Sequence, residues 1–168
     1  MIEHEKVSIA IIGLGYVGLP LSVEFSKKYP VVGYDLNIKR IKELNDGYDR
    51  TGEIDFSDLK KLKTLKISSN KKSIENANVY IVTVPTPVDK NNIPNLNPLK
   101  NASEMIGSFL KKNDIVIYES TVYPGATEEI CVPILEMKSH LMYNRDFFCG
   151  YSPERINPGD KKNKLTSI

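Results

Sequence analysis

Three glycines stand out as residues able to serve chemistry: Gly13, Gly15 and Gly18, in the run GLGYVG. This G-x-G-x-x-G spacing suits a pyrophosphate. Gly13 permits a tight turn out of a strand, Gly15 lets the backbone approach the phosphates, and Gly18 lets the next helix pack on the sheet. That helix offers unpaired N–H groups and a positive dipole end to the phosphates. An acid, Asp35, follows about 20 residues on, where the dinucleotide fingerprint calls for a partner to the ribose hydroxyls. A carboxylate there repels a 2′-phosphate and so favours NAD over NADP. Arg40 is the contrary feature, since a nearby arginine accommodates that phosphate; with Asp35 present it reads as covering the adenosine side. No G-K-[ST] follows, which excludes a Walker-type phosphate loop. The bland alternative is a glycine turn in some other α/β protein, with Asp35 as a helix cap.

A second group of polar residues falls at the ends of apolar runs. Thr86 sits in Pro85-Thr86-Pro87 after Val79 to Val84. Ser120 and Thr121 follow Ile115 to Tyr118, and Ser152-Pro153-Glu154-Arg155 follows Phe147 to Tyr151. In open α/β sheets ligands bind beyond the carboxyl ends of the strands, so these ends would form one catalytic rim. Singly, each has a structural alternative. Thr86 closes a turn, Ser120-Thr121 caps a helix, and Glu154 pairs with a surface cation. Cys131 and Cys149 read as core residues rather than nucleophiles. His4 and His140 have no readable partner, and no metal site is expected.

The elements that must position these residues alternate. Strands are expected at Val7 to Ile12, Val31 to Asp35, within LKISSN, at Val79 to Val84, at Ile115 to Tyr118 and within DFFCGYS. Helices are expected at Tyr16 to Lys28, from Asn37 as cap through Leu44, briefly around Leu59 and Leu62, at Pro98 to Leu110 and at Ala126 to Glu136. In the second helix Ile38, Ile41 and Leu44 would face the core. Near-continuous apolar strands separated by helices predict an α/β fold: a Rossmann-like, doubly wound parallel sheet with helices on both faces.

Length and composition fit one soluble domain. The 168 residues are 40% hydrophobic and 26% charged, and the formal net charge of +2 gives no ground for nucleic acid as partner. Lysine pairs fall mostly where helices should end. No run is long enough to span a membrane, no secretory signal is present, and the cysteines form no disulfide framework, so a cytoplasmic location is expected.

With these motifs assembled, the sequence resembles the nucleotide-sugar 6-dehydrogenases, the UDP-glucose/UDP-N-acetyl-hexosamine dehydrogenase family. The resemblance runs from AIIGLGYVGLPL through VPTP and ESTVYPGATEE to GYSPERINPGD. The forms YDRTGE and SPERINPGD look most like the UDP-N-acetylgalactosamine or UDP-N-acetylglucosamine branch, which supplies uronic acids for capsular and O-antigen polysaccharides. The resemblance implies oxidation of a sugar C6 alcohol to a carboxylate with two NAD in succession, through a thiohemiacetal and a thioester on a cysteine. It implies that Gly13, Tyr16, Val17, Asp35, Arg40, Thr86 and Thr121 contact NAD. Gly15, Gly18 and Ser120 belong to the same cofactor site. Thr121 would also position water or the developing oxyanion, and Glu154 matches a general base for hydrolysis. UDP-glucose dehydrogenases usually carry a second glutamate where this chain has Pro158, which argues for an amino-sugar substrate.

In that family the nucleophilic cysteine, a lysine, an asparagine, the dimerisation helix and the UDP-binding domain all lie further along the chain. The expected organisation is therefore an NAD-binding domain over residues 1–155 and the start of a connector over 156–168, cut from a longer homo-oligomeric enzyme and inactive alone. Two other readings remain: a self-standing NAD-binding sensor, and an NAD-dependent dehydrogenase of hydroxyacids. The sensor has no need of the Ser152-Pro153-Glu154 rim, and the hydroxyacid enzyme does not need the ESTVYPGATEE and SPERINPGD pair.

Overall fold

β1 (Ile9–Ile12) is buried at every position, as a strand must be when both faces of its sheet are covered. Its side chains alternate. Ile9 and Ile11 join one core cluster with Leu14, Leu19, Leu21, Ile41 and Leu44, while Ala10 and Ile12 join another with Leu99, Ala102, Ile106 and Leu135. The two clusters are the two sides of a three-layer sandwich. The computed structural model describes residues 6–55 and 64–153.

Five more strands complete the sheet: β2 (Val31–Tyr34), β3 (Leu65–Ser68), β4 (Val79–Val82), β5 (Ile115–Tyr118) and β6 (Phe148–Tyr151). All are parallel, in the order β3-β2-β1-β4-β5-β6. That order reverses direction between β1 and β4, and the reversal opens a crevice at the strands' carboxyl ends. The doubly wound fold expected from the sequence is the fold observed.

α1 (Gly18–Ser26) and α2 (Ile38–Asn45) supply the first core face. α3 (Asn97–Gly107) and α4 (Val132–Ser139) supply the second. Pro20 falls in the first turn of α1, where a missing N–H costs nothing. Asn37 caps α2 by accepting from the Arg40 N–H at 3.1 Å.

Several local expectations need correction. Ile38 does not face the core; it is 73% exposed, whereas Ile41 and Leu44 are buried. It is the first residue of α2, directly after the Asn37 cap, in the turn where the chain enters the helix. The expected helix at Ala126 to Glu136 begins with a π turn, Thr127–Cys131, and runs on to Ser139. A 3-10 turn, Lys71–Ile74, went unforeseen. The expected short helix at Leu59 and Leu62, His4, Glu154, Arg155, Pro158 and the connector at 156–168 all lie outside the described residues.

Candidate functional site

The glycine loop leaves β1 under tight control. The Gly13 N–H donates to the Tyr34 carbonyl at 2.8 Å, tying the ends of β1 and β2 together. Gly13 has φ +99°, a left-handed value that penalises any side chain. A Cβ on Gly18 would lie 1.8 Å from the Gly13 carbonyl oxygen and 2.4 Å from Thr83 Oγ1. Gly18 is therefore required by packing alone. Gly15 is different: a Cβ there would meet no protein atom within 4 Å. Its bare face looks into a cleft.

That cleft holds about 560 Å³ and lies at the carboxyl ends of β1, β2, β4 and β5. Its walls are the glycine loop with Tyr16 and Val17, the Asp35 side, the Thr83-to-Pro87 turn, and Glu119, Ser120 and Thr121. Val17 occupies the cap position of α1 and supplies no side-chain hydrogen bond. The first N–H groups of an α-helix have no partner within the helix; here the Leu19 N–H is spent on the Gly15 carbonyl at 3.1 Å and Pro20 has none, so the amides of Val17 and Gly18, with the positive end of the helix dipole, are what α1 offers an anion. Among the described residues no lysine or arginine lines the cleft; its charged side chains are Asp35 and Glu119. Phosphates bound here would be held by backbone amides.

Asp35 organises the loop as well as facing the cleft. Its Oδ2 accepts from the Leu14 N–H at 2.8 Å, and its Oδ1 accepts from the Asn37 N–H at 2.8 Å. Each carboxylate oxygen keeps a further lone-pair site for a ribose hydroxyl.

Thr86 and Ser120 stitch the two neighbouring strand ends together. Thr86 Oγ1 donates to the Thr121 carbonyl at 2.6 Å, and Ser120 Oγ donates to the Val84 carbonyl at 2.8 Å. Both hydroxyl protons are spent inside the protein, so toward a ligand these oxygens offer acceptor sites. Thr121 is exposed at the cleft wall.

Of the residues singled out from sequence, Gly13, Gly15, Tyr16, Val17, Asp35, Thr86, Ser120 and Thr121 meet at this one cleft. Gly18 supports it from behind. Arg40 lies apart from the cleft wall: it is 4% exposed, its Nε donates to the Leu14 carbonyl at 2.9 Å, and its NH2 lies 2.7 Å from Asp49 Oδ1. Glu154 is outside the described residues. Glu119 and Thr83 were missed, although both occupy strand ends and the strand-end rule would have found them.

The cysteines are unsuited to nucleophilic work. Cys131 is fully buried, and burial pushes its thiol above the usual range although the nearby Ser103 and Tyr118 hydroxyls work the other way. Burial pushes the Cys149 thiol up to about 12, with nearby Cys131, Glu128 and Glu136 adding to the shift. Among the described residues no cluster of His, Cys, Asp and Glu could hold a metal, and no helix is long and apolar enough to cross a membrane.

Comparison with known proteins gives a consistent result. The profile of the UDP-glucose/GDP-mannose dehydrogenase family, NAD binding domain, matches residues 7–167. The chain is 59% identical over 164 residues to a UDP-N-acetyl-D-glucosamine 6-dehydrogenase of Pseudomonas aeruginosa, covering 98% of this chain and 39% of that protein. It is 56% identical over 168 residues to the enzyme of the same name from Salmonella typhi, covering 100% of this chain and 40% of that one. The solved structure of UDP-D-ManNAc dehydrogenase from Pyrococcus horikoshii superimposes with TM-score 0.86 at 33% identity, over 95% of this chain and 38% of that one. The chain thus spans about two-fifths of the length of the curated relatives it matches.

Proposed function

The chain belongs to the UDP-glucose/GDP-mannose dehydrogenase family, as its NAD-binding domain, and on that premise we propose that it carries NAD for a UDP-N-acetyl-hexosamine 6-dehydrogenase. The carrying observation is Gly15, whose bare backbone faces the cleft with nothing in the protein to fill the space. A pyrophosphate fits there: the end of α1 supplies N–H donors, and no side chain stands between them and the ligand.

The rest of the wall suits the remainder of the cofactor. Asp35 accepts from the adenosine ribose hydroxyls and disfavours a 2′-phosphate, so NAD is preferred to NADP. Tyr16 and Val17 pack against the dinucleotide. The turn at Pro85-Thr86-Pro87 and the segment Glu119 to Thr121 border the nicotinamide end, and the Thr86–Thr121 and Ser120–Val84 hydrogen bonds hold them at fixed separation. NAD bound there would accept hydride from the sugar C6. Thr121, exposed at that wall, would hold a water or a developing oxyanion by its hydroxyl. Glu154, two residues beyond Ser152, is the proposed base for the hydrolytic step.

The substrate reading rests on the relatives. Those with 59% and 56% identity are named for UDP-N-acetyl-D-glucosamine, and a relative named CapL from Staphylococcus aureus is 53% identical over 161 residues. We therefore favour UDP-N-acetylglucosamine over the galacto epimer, with capsule or related polysaccharide precursors as the product class. The test uses the full-length protein that carries this domain. Supplied with NAD and UDP-N-acetylglucosamine, it should form two NADH per sugar and a UDP-linked uronic acid. Turnover of 3-hydroxy acids, with none of UDP-sugars, would overturn the reading.

A further inference from the structure

We propose that Asp49 is a positioning residue for the cofactor loop, acting through Arg40 on the carbonyl of Leu14; the inference rests on the NAD reading of the cleft. Leu14 lies between Gly13 and Gly15, and its backbone is gripped on both sides. Its N–H donates to Asp35 Oδ2 at 2.8 Å and its carbonyl accepts from Arg40 Nε at 2.9 Å. Its side chain is fully buried. The two bonds fix the peptide planes on either side of Leu14, and so fix where the Gly15 backbone meets a pyrophosphate.

Arg40 cannot hold that position unaided. Its side chain is 5% exposed, and a buried guanidinium needs a counter-charge. Asp49 Oδ1, 2.7 Å from Arg40 NH2, is that charge. The Arg40 terminal nitrogens, NH1 and NH2, make no well-aligned hydrogen bond and are buried, so the ion pair with Asp49 is their compensation. Asp49 is itself held. Its side chain is 1% exposed, Oδ1 accepts from the Thr51 N–H at 3.0 Å, and Oδ2 accepts from the N–H groups of Glu53 and Ile54 at 3.0 and 3.1 Å. The 49–54 loop is thus wound around one carboxylate, and the chain of contacts runs from that loop through Asp49, Arg40 and Leu14 to Gly15. With Nε and NH2 both committed, Arg40 positions the loop instead of reaching across the adenosine or greeting a 2′-phosphate.

The test compares Asp49→Asn and Arg40→Lys with the unaltered protein, well below their unfolding temperatures. Asp49→Asn keeps the shape and removes the counter-charge. Arg40→Lys keeps a charge for Asp49 and loses the planar fork that also reaches Leu14. Three quantities are read: NAD affinity by calorimetry, adenosine affinity by NMR titration, and the amide resonances of Gly13, Leu14 and Gly15 without ligand. The expected result is NAD affinity lower by about tenfold or more in both variants, unchanged adenosine affinity, and shifted loop amides. Equal losses for NAD and adenosine would mean a direct adenosine contact, and would overturn the proposal. So would unchanged NAD affinity at a lowered melting temperature, the outcome of a purely structural ion pair. If Asp49→Asn does not fold, Arg40→Lys decides by the same readings. If the unaltered protein shows no saturable NAD binding, the cofactor reading fails instead, and the amide shifts still judge the link from Asp49 to the loop.

Discussion

A Cβ placed on Gly18 would lie 1.8 Å from the carbonyl oxygen of Gly13. The oxygen is backbone and the Cβ position is set by the backbone, so no rotamer change can relieve the contact. Gly18→Ala should therefore push α1 off β1 and cost about 4 kcal/mol or more, in the range reserved for severe packing defects. Against a typical stability of about 5–15 kcal/mol, the variant should melt far lower or fail to fold. A melting temperature close to that of the unaltered protein would contradict this packing account.

The hydroxyls of Thr86 and Ser120 form a reciprocal pair of clasps between the segments after β4 and β5. Thr86→Val should cost about 1 kcal/mol in urea unfolding, the usual net worth of a hydrogen bond. Ser120→Ala, at a site 3% exposed, should cost about 1–3 kcal/mol because the Val84 carbonyl is left with one partner fewer. The two losses should not add, since both act on one junction; a double-mutant cycle measures the coupling. Strict additivity would show the two clasps to be independent.

Asp49 gives the fold a pH signature. Burial works to raise its carboxyl pKa, but hydrogen bonds from the hydroxyl and backbone of Thr51 and the backbone of Ile54, together with the Arg40 ion pair, outweigh burial, and the net pKa is lowered. A depressed folded-state pKa stabilises the fold above the unfolded value of about 3.9 and loses that contribution as pH falls through the folded value. The stability gap between the unaltered protein and Asp49→Asn should therefore be constant at neutral pH and shrink below about pH 4. A gap independent of pH down to full acid unfolding would show that the Asp49 charge carries none of the stability.

Cys149, with its thiol pushed up to about 12, and the buried Cys131 should both stay protonated and unreactive at neutral pH. Alkylation by iodoacetamide, followed by mass spectrometry, should label neither in the native protein and both in denaturant. Rapid native labelling of either would return it to consideration as a nucleophile.

Sequence alone reached the parts of this site whose constraints are local. Gly13 and Gly18 announce a turn and a close helix crossing within six positions, and Asn37 announces its cap by standing just before an apolar repeat. The parallel, doubly wound character of the sheet followed from buried strands alternating with helices, whereas the order β3-β2-β1-β4-β5-β6 is seen only in the folded chain. The contacts of Arg40 did not follow, because its partners Leu14 and Asp49 come to it through tertiary folding: one across a strand-helix junction, the other from a polar loop with no periodicity. Thr86 and Ser120 were picked out as polar strand ends, yet which carbonyls take their protons depends on the spacing of β4 and β5 in space. Ile38 fitted the apolar stripe by number, yet as the first residue of α2 it is exposed while Ile41 and Leu44 are buried.

Gly15 is the one glycine of the motif at which a Cβ would meet no protein atom within 4 Å. The decisive measurement is a calorimetric titration of NAD into the unaltered protein and into Gly15→Ala, with melting temperatures recorded for both. The account predicts saturable binding to the unaltered protein, an unchanged melting temperature in the variant, and NAD affinity lower by about tenfold or more. Equal affinity in the two proteins, or no saturable binding to either, would contradict it.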